Sequence, residues 1–257
     1  MKEMTFWEHL DELRSALIRI IVVAVVAGIV CFAFKEQLFA CILAPKEPDF
    51  ILWQLLSGVS SLFGDCGSES FHVSLVNTGL AQQFVIHVKT ALCMGVVIAS
   101  PYIIYQLFRF VSPALYERER DYAVRAVTSG YLLFITGVAV SYFVIFPLTF
   151  RFLGTYQVQS DVTNMITLDS YISTLMTMSL SMGIVFEIPI LAWLFAKTGL
   201  LTAHFMRRYR RHAIVIILSV AAVITPTSDI FTLLIVSAPM YLLYEVSILI
   251  VVRTNHE

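Results

Sequence analysis

Charge is scarce in this chain of 257 residues. Only 14% of positions are Asp, Glu, Lys or Arg, where ordinary soluble domains carry about 25%. The net charge is −1, and the clustered Lys and Arg that hold a phosphate backbone are missing, which excludes a nucleic-acid binder. Cysteine is rare too. Cys31, Cys41, Cys66 and Cys93 form no CxxC pair and have no His partner at metal spacing, so neither a metal nor a cofactor is expected. There is no GxSxG, HExxH or P-loop, which argues against an enzyme and against energy drawn from ATP bound here. No internal repeat is visible, direct or inverted, which speaks against a secondary transporter. No alternation of period two runs long enough for a membrane barrel.

What is present is apolar. Hydrophobic residues make up 58% of the chain and the mean hydropathy is +0.82, more apolar surface than a soluble core of this size can hide. A secreted domain and a disordered scaffold are excluded with it. Six apolar runs stand out, at 15–34, 84–107, 126–150, 171–195, 213–224 and 230–252. Five are long enough for about 30 Å of hydrocarbon, and the fifth is short. Backbone groups in lipid must bond internally, so the runs read as helices of an all-α polytopic membrane protein.

Lys and Arg set the expected orientation. With the N-terminus in the cytoplasm, only Lys35, Lys46 and Arg151 of the 17 face outward, and Lys89 falls inside a run. That bias predicts both ends inside. The first run has an acidic flank and no A-x-A site after it, so it does not read as a cleavable signal peptide. The outward loop, about 35–78, contains Phe50-Ile51-Leu52-Trp53 and is expected to pack on the helix ends. Cys41 and Cys66 share it, either as a disulfide or as two free thiols. Residues 1–14 read as a cytoplasmic amphipathic helix, 15–252 as the membrane domain and 253–257 as a cytoplasmic tail.

Thr5 and Glu8 fit a capping box. Phe6, Trp7, Leu10, Leu13 and Leu17 then form one helical face, and Glu8, Asp11, Glu12 and Ser15 the other. An acidic face at the cytoplasmic surface repels anionic lipid. It serves either to attract a cationic partner or to solubilise the helix, with an Asp11–Arg14 pair. The loop between the second and third runs carries Pro113 in a short helical turn and mixes Glu117 and Glu119 with arginines. Carboxylates near Glu12 and Glu119 could clamp guanidinium groups, because they bind Arg bidentately and tell it from Lys. The alternative is local salt bridging. The basic run Arg207-Arg208-Tyr209-Arg210-Arg211 reads as topology and headgroup contact.

These residues match a family. His9-Leu10-Asp11-Glu12-Leu13-Arg14, Ser100-Pro101 through Tyr105-Gln106, Phe110-Val111-Ser112-Pro113-Ala114-Leu115-Tyr116 and Glu119-Arg120 occur in order. Phe146-Pro147-Leu148, Phe186-Glu187-Ile188-Pro189, Thr225-Pro226 with Asp229, Pro239-Met240 and Tyr244-Glu245 follow. In that order and spacing the chain resembles the TatC subunit of the twin-arginine protein translocase.

The resemblance implies a concave, glove-like bundle of six membrane helices, the last two short, in a bacterial cytoplasmic (inner) membrane. It implies a receptor that binds twin-arginine signal peptides of folded cargo through Glu12 and Glu119, supported by Arg14 and Phe110, and works on the proton motive force. Arg14 would orient a carboxylate. Glu187 would stand in mid-membrane, exposed in the hollow toward a partner helix or lipid. The alternative is a satisfied structural Glu. Ser173 and Gly183 lie near Glu187 on a helical projection. Thr225, Asp229 and Leu233 would meet single-span partners, TatA-type subunits with or without a separate TatB-type subunit. Leu233 stands where many relatives have Gln, which removes one polar anchor. Self-association is also expected. Pro101, Pro113, Pro147, Pro189 and Pro226 are assigned structural roles, with Pro189 kinking the fourth run and Asp229 capping the sixth helix. Glu245 is read as structural first. The rival is a proton-coupled solute transporter using Glu187 and Glu245, which would call for a broken helix at the midplane. No such break is expected from the sequence.

Overall fold

The computed structural model describes residues 6–47, 50–53, 75–111, 120–156, 159, 164–225 and 229–254. Helix α1 runs unbroken from Phe6–Ala33. The amphipathic segment expected to lead into the first span continues into it as one helix, because no Pro or Gly within it precedes Gly28 to interrupt it. A short helix α2 (Lys35–Leu43) follows, then strand β1 (Leu75–Val76) and the long α3 (Gln82–Val111). Helix α4 (Arg120–Val140) passes through a π-turn at Ser141–Ile145 into α5 (Phe146–Thr155). Strand β2 (Ile166–Thr167) leads into α6 (Leu168–Val185) and α7 (Ile188–Lys197). A single turn-and-a-half, α8 (Ala203–Arg208), precedes α9 (Arg210–Ile224) and α10 (Ile230–Thr254).

Among the described residues, five helical stretches are long and apolar enough to cross a membrane: Leu10–Ala33, Gln82–Phe110, Ala126–Thr155, Leu168–Lys197 and Ile230–Thr254. Helix α9 has 15 residues, about 22 Å at 1.5 Å per residue, and falls short of about 30 Å. The expectation that both final helices are short is corrected: α10 has 25 residues. The asymmetry comes from α8 and its flanking turns, which occupy chain that would otherwise lengthen α9.

Proline and glycine explain the irregularities. Pro147 cannot donate to the carbonyl four residues back and its ring crowds it, and the π-turn lies just before it. Pro101 sits inside α3, where the Ser100 hydroxyl donates to the Val97 carbonyl at 2.7 Å and compensates for backbone bonding lost nearby. Helices α1 and α3 cross closely at two glycines. A Cβ on Gly95 would lie 2.5 Å from the Gly28 nitrogen and 2.7 Å from the Ala24 carbonyl oxygen, the small-residue packing of membrane helices.

Strands β1 and β2 pair in parallel, Leu75 with Ile166 and Val76 with Thr167, which places the loops before α3 and before α6 at one end of the bundle, the strand end. The described part of the 35–78 loop packs there as expected. Leu38, Ile42 and Phe50 are buried, the Tyr171 hydroxyl donates to the Ile42 carbonyl at 3.1 Å, and Arg151 stacks over Trp53 at 4.7 Å. The Cys41 thiol faces the Tyr142 hydroxyl at 3.9 Å, while Cys66 lies outside the described residues. At the other end, the far end, Arg210 Nη2 pairs with Glu245 Oε2 at 2.7 Å and the Tyr241 hydroxyl donates to Glu245 Oε1 at 3.0 Å. Both oxygens of Glu245 are engaged, in keeping with a structural role. The basic run thus straddles the turn at Tyr209 between α8 and α9, and Arg210 ties α9 to α10.

Candidate receptor site and mid-membrane cavity

At the far end, α1 and α3 enclose a hollow of about 60 Å³ lined by Glu12, Ala16, Arg19, Gln106, Arg109 and Phe110. The spacing explains the set. Residues 12, 16 and 19 fall on one stripe of α1, and 106, 109 and 110 on one stripe of α3. Glu12 is half-buried, and its Oε2 is buried with no hydrogen-bond partner among the described residues. Arg19 is steadied by donating to Ser15 Oγ at 2.8 Å, and the buried Gln106 amide donates to the Tyr102 hydroxyl at 2.6 Å. Arg14 is exposed and does not line the hollow. It sits about 200° around the helix from Glu12; the other carboxylate it was expected to orient, Glu119, lies outside the described residues. Arg19 and Arg109 line the hollow with Glu12, and the i, i+7 spacing from Glu12 to Arg19 was the signal for the former. Thr5, Pro113 and Glu119 lie outside the described residues.

The second place is the break between α6 and α7. Phe186 and Glu187 form a turn: the Glu187 N–H donates to the Ile184 carbonyl at 3.1 Å, and its own carbonyl accepts from Ile190 and Leu191 at 3.1 and 3.0 Å. The fourth span is therefore interrupted at Glu187, where the sequence predicted a kink just beyond it. Pro189 is the cause, since it can neither bond the Val185 carbonyl nor let it approach, and the interruption falls before the proline, not beyond it. Glu187 lines an apolar cavity of about 460 Å³ with Ser100, Ile104 and Phe108 of α3, Phe134 of α4 and Leu180 and Ile184 of α6. Its Oε2 lies against α4, where a Cβ on Gly130 would come within 3.1 Å. Its Oε1 is buried with no hydrogen-bond partner among the described residues. The expected polar neighbours are elsewhere. Gly183 packs against Phe134 and Val138, and Ser173 accepts from Lys89 at 2.7 Å.

The sequence profile of the family described as Sec-independent protein translocase protein (TatC) matches residues 8–239. The chain belongs to the TatC family. Among TatC proteins, that of Blattabacterium sp. subsp. Periplaneta americana is 36% identical over 253 residues, covering 96% of this chain and 95% of the relative. The TatC of Aquifex aeolicus is 32% identical, covering 95% and 93%. A crystal structure of a twin arginine translocase receptor, TatC, superposes with a TM-score of 0.77 at 31% identity, covering 96% of this chain and all of that one. This chain is accordingly a mostly helical, multi-pass membrane protein of a protein-translocase family.

In this TatC protein the hairpin residues form a third place, separate from Glu187. Thr225 is buried and its hydroxyl donates to the Ala221 carbonyl at 3.0 Å. Asp229 Oδ1 accepts from the Thr232 N–H at 2.7 Å, the helix cap expected of it. Phe231 stacks on Phe152 at 4.1 Å, which sets the hairpin toward the strand end. None of Thr225, Asp229 and Leu233 lines the Glu187 cavity, so the single intramembrane polar site expected from sequence divides in two. Pro226 lies outside the described residues.

Proposed function

We propose that this protein is the signal-peptide receptor and core subunit of a twin-arginine translocase in a bacterial cytoplasmic membrane. On this reading it has six spans with both termini inside, the strand end outward, and α9 as a short fifth span. The observation that carries the proposal is the bare, half-buried oxygen of Glu12 at the far end of the bundle. A desolvated carboxylate in reach of the surface is what a guanidinium fork binds best. The hollow already holds two guanidiniums, Arg19 and Arg109, beside the single carboxylate of Glu12. Glu12 alone would therefore meet two more arginines in a net positive setting. The reading requires a second acid, and Glu119, a few residues beyond Phe110 in sequence, is assigned that part. Phe110 packs on the apolar positions beside the arginine pair.

Glu187 presents an acceptor to a polar group on a partner helix, and the Thr225–Leu233 hairpin receives a TatA-type or TatB-type span. Transport draws on the proton motive force and self-association completes the complex. The crystal structure described as a twin arginine translocase receptor supports this reading. The test is photocrosslinking of a twin-arginine peptide to the inserted protein. Glu12→Ala with Glu119→Ala should abolish it, a loss of about a hundredfold or more at roughly 1.5–3 kcal/mol per charge-assisted bond. Unchanged crosslinking overturns the site.

One observation favours a second reading. The fourth span is broken at a carboxylate, as in proton-coupled solute transporters. Solute uptake by the protein alone, without cargo or partner subunits, would support that alternative.

A further inference from the structure

A second apolar cavity, of about 340 Å³, lies nearer the strand end, between α3, the third span and α6, with Cys41 and Ile42 of α2 against it. This is within the size range of small-ligand pockets. Two hydroxyls in its wall lack partners among the described residues, as do those of Ser141, Thr149 and Thr232 outside it. Elsewhere in the spans Thr136, Ser219 and Ser247 each donate to the carbonyl four residues back, at 2.7–2.8 Å, the usual way a hydroxyl is satisfied in a membrane helix. Thr90 (0% exposed) and Ser179 (9%) line the cavity and make no hydrogen bond among the described residues. A hydroxyl bare in an apolar interior is costly.

The rim toward the strand end carries a cation. Lys89 donates to Ser173 Oγ at 2.7 Å, across α3 and α6, and Ser173 donates in turn to Asp169 at 3.4 Å. Lys89 stands one helical turn from Cys93, and Ser173 three residues from Met176, both of which line the cavity. The Lys89–Ser173 bridge thus lies about one helical turn from the cavity wall, on the side of the strand end. An ammonium has three protons to donate, and one is used here among the described residues.

We propose that this is a site for a glycerophospholipid of the leaflet at the strand end. Its phosphodiester takes the two open donors of Lys89, an ester carbonyl accepts from the Thr90 hydroxyl, and one acyl chain fills the cavity. Charge selects the occupant: an apolar slot with a cation at its mouth is complementary to an apolar chain bearing an anionic phosphate. The site stands apart from the receptor hollow and needs only that the protein spans a membrane. Leu180 lines both this cavity and the one holding Glu187, so a bound chain would also hold the wall between them.

The test is native mass spectrometry of the full chain released from bilayers containing equal parts of phosphatidylglycerol and diglucosyldiacylglycerol with matched chains. The protein should retain the phospholipid over the glycolipid by about tenfold, the worth of a charge-assisted bond. Lys89→Gln should bring the two to parity, and Lys89→Arg should preserve the preference. Ala139→Phe, which fills the cavity from the third span, should lower retention of both lipids alike. No preference in the unsubstituted protein, a preference that survives Lys89→Gln, or retention undiminished in Ala139→Phe would each overturn the proposal.

Discussion

Among the described residues, two half-buried glutamates, Glu12 and Glu187, each leave one oxygen without a hydrogen-bond partner. Their company differs. Glu12 sits at the end of the bundle beside Arg19, Arg109 and the Gln106 amide, while Glu187 sits in a broken span among Ile104, Phe134, Ile184 and other apolar side chains. In water-accessible, polar surroundings a carboxylate discriminates charge and fork geometry. In an apolar cavity the same group is costly, and what it gains is any hydrogen-bond donor that arrives. On the proposed function, one residue type would serve recognition at the surface and docking at depth.

The sharpest way to break this contrast is to exchange the effects of the two residues. Glu12→Lys should reduce capture of a twin-arginine peptide by about a hundredfold, since it removes an acceptor and adds a third cation to the hollow. Transport follows binding down, and equilibrium binding in detergent reads it. Glu187→Ala should leave that binding unchanged and reduce transport by about tenfold, measured as export of a folded cargo. If Glu187→Ala abolishes peptide binding instead, the two places are one site and the contrast fails. A finer cut uses the peptide. Replacing its two arginines with lysines should weaken binding to the unsubstituted protein several-fold, up to about tenfold, because Lys loses the bidentate fork. The smallest expected effect is on stability. Asp229→Ala removes the acceptor for the Thr232 N–H and should cost about 1 kcal/mol in thermal or denaturant unfolding, with peptide binding intact.

The spans were legible because hydropathy over about 20 residues reports directly on lipid contact. The cap at Asp229 was legible because capping is local. What escaped depends on direction or distance. The resemblance made Arg14 orient a carboxylate, Glu12 or Glu119, but two residues along a helix point to opposite sides, and Arg19 and Arg109 line the hollow with Glu12. Pro189 marked the fourth span as irregular, and the break landed at Phe186–Glu187 because a proline disturbs the turn before it. The division of Glu187 from the hairpin residues is a tertiary fact: Phe231 stacking on Phe152 sets the hairpin's position, and no local pattern announces it.

The pairing of Leu75–Val76 with Ile166–Thr167 joins segments ninety-one residues apart, and no periodicity in two-residue strands could foretell it. Its mechanical meaning is simple. It laces the entry of the second span to the entry of the fourth at one mouth of the bundle, as a clasp holds one side of a purse. Any parting of these two spans would then be widest at the opposite mouth, where the bare carboxylate of Glu12 stands, so on the proposed function capture and opening would share the same door.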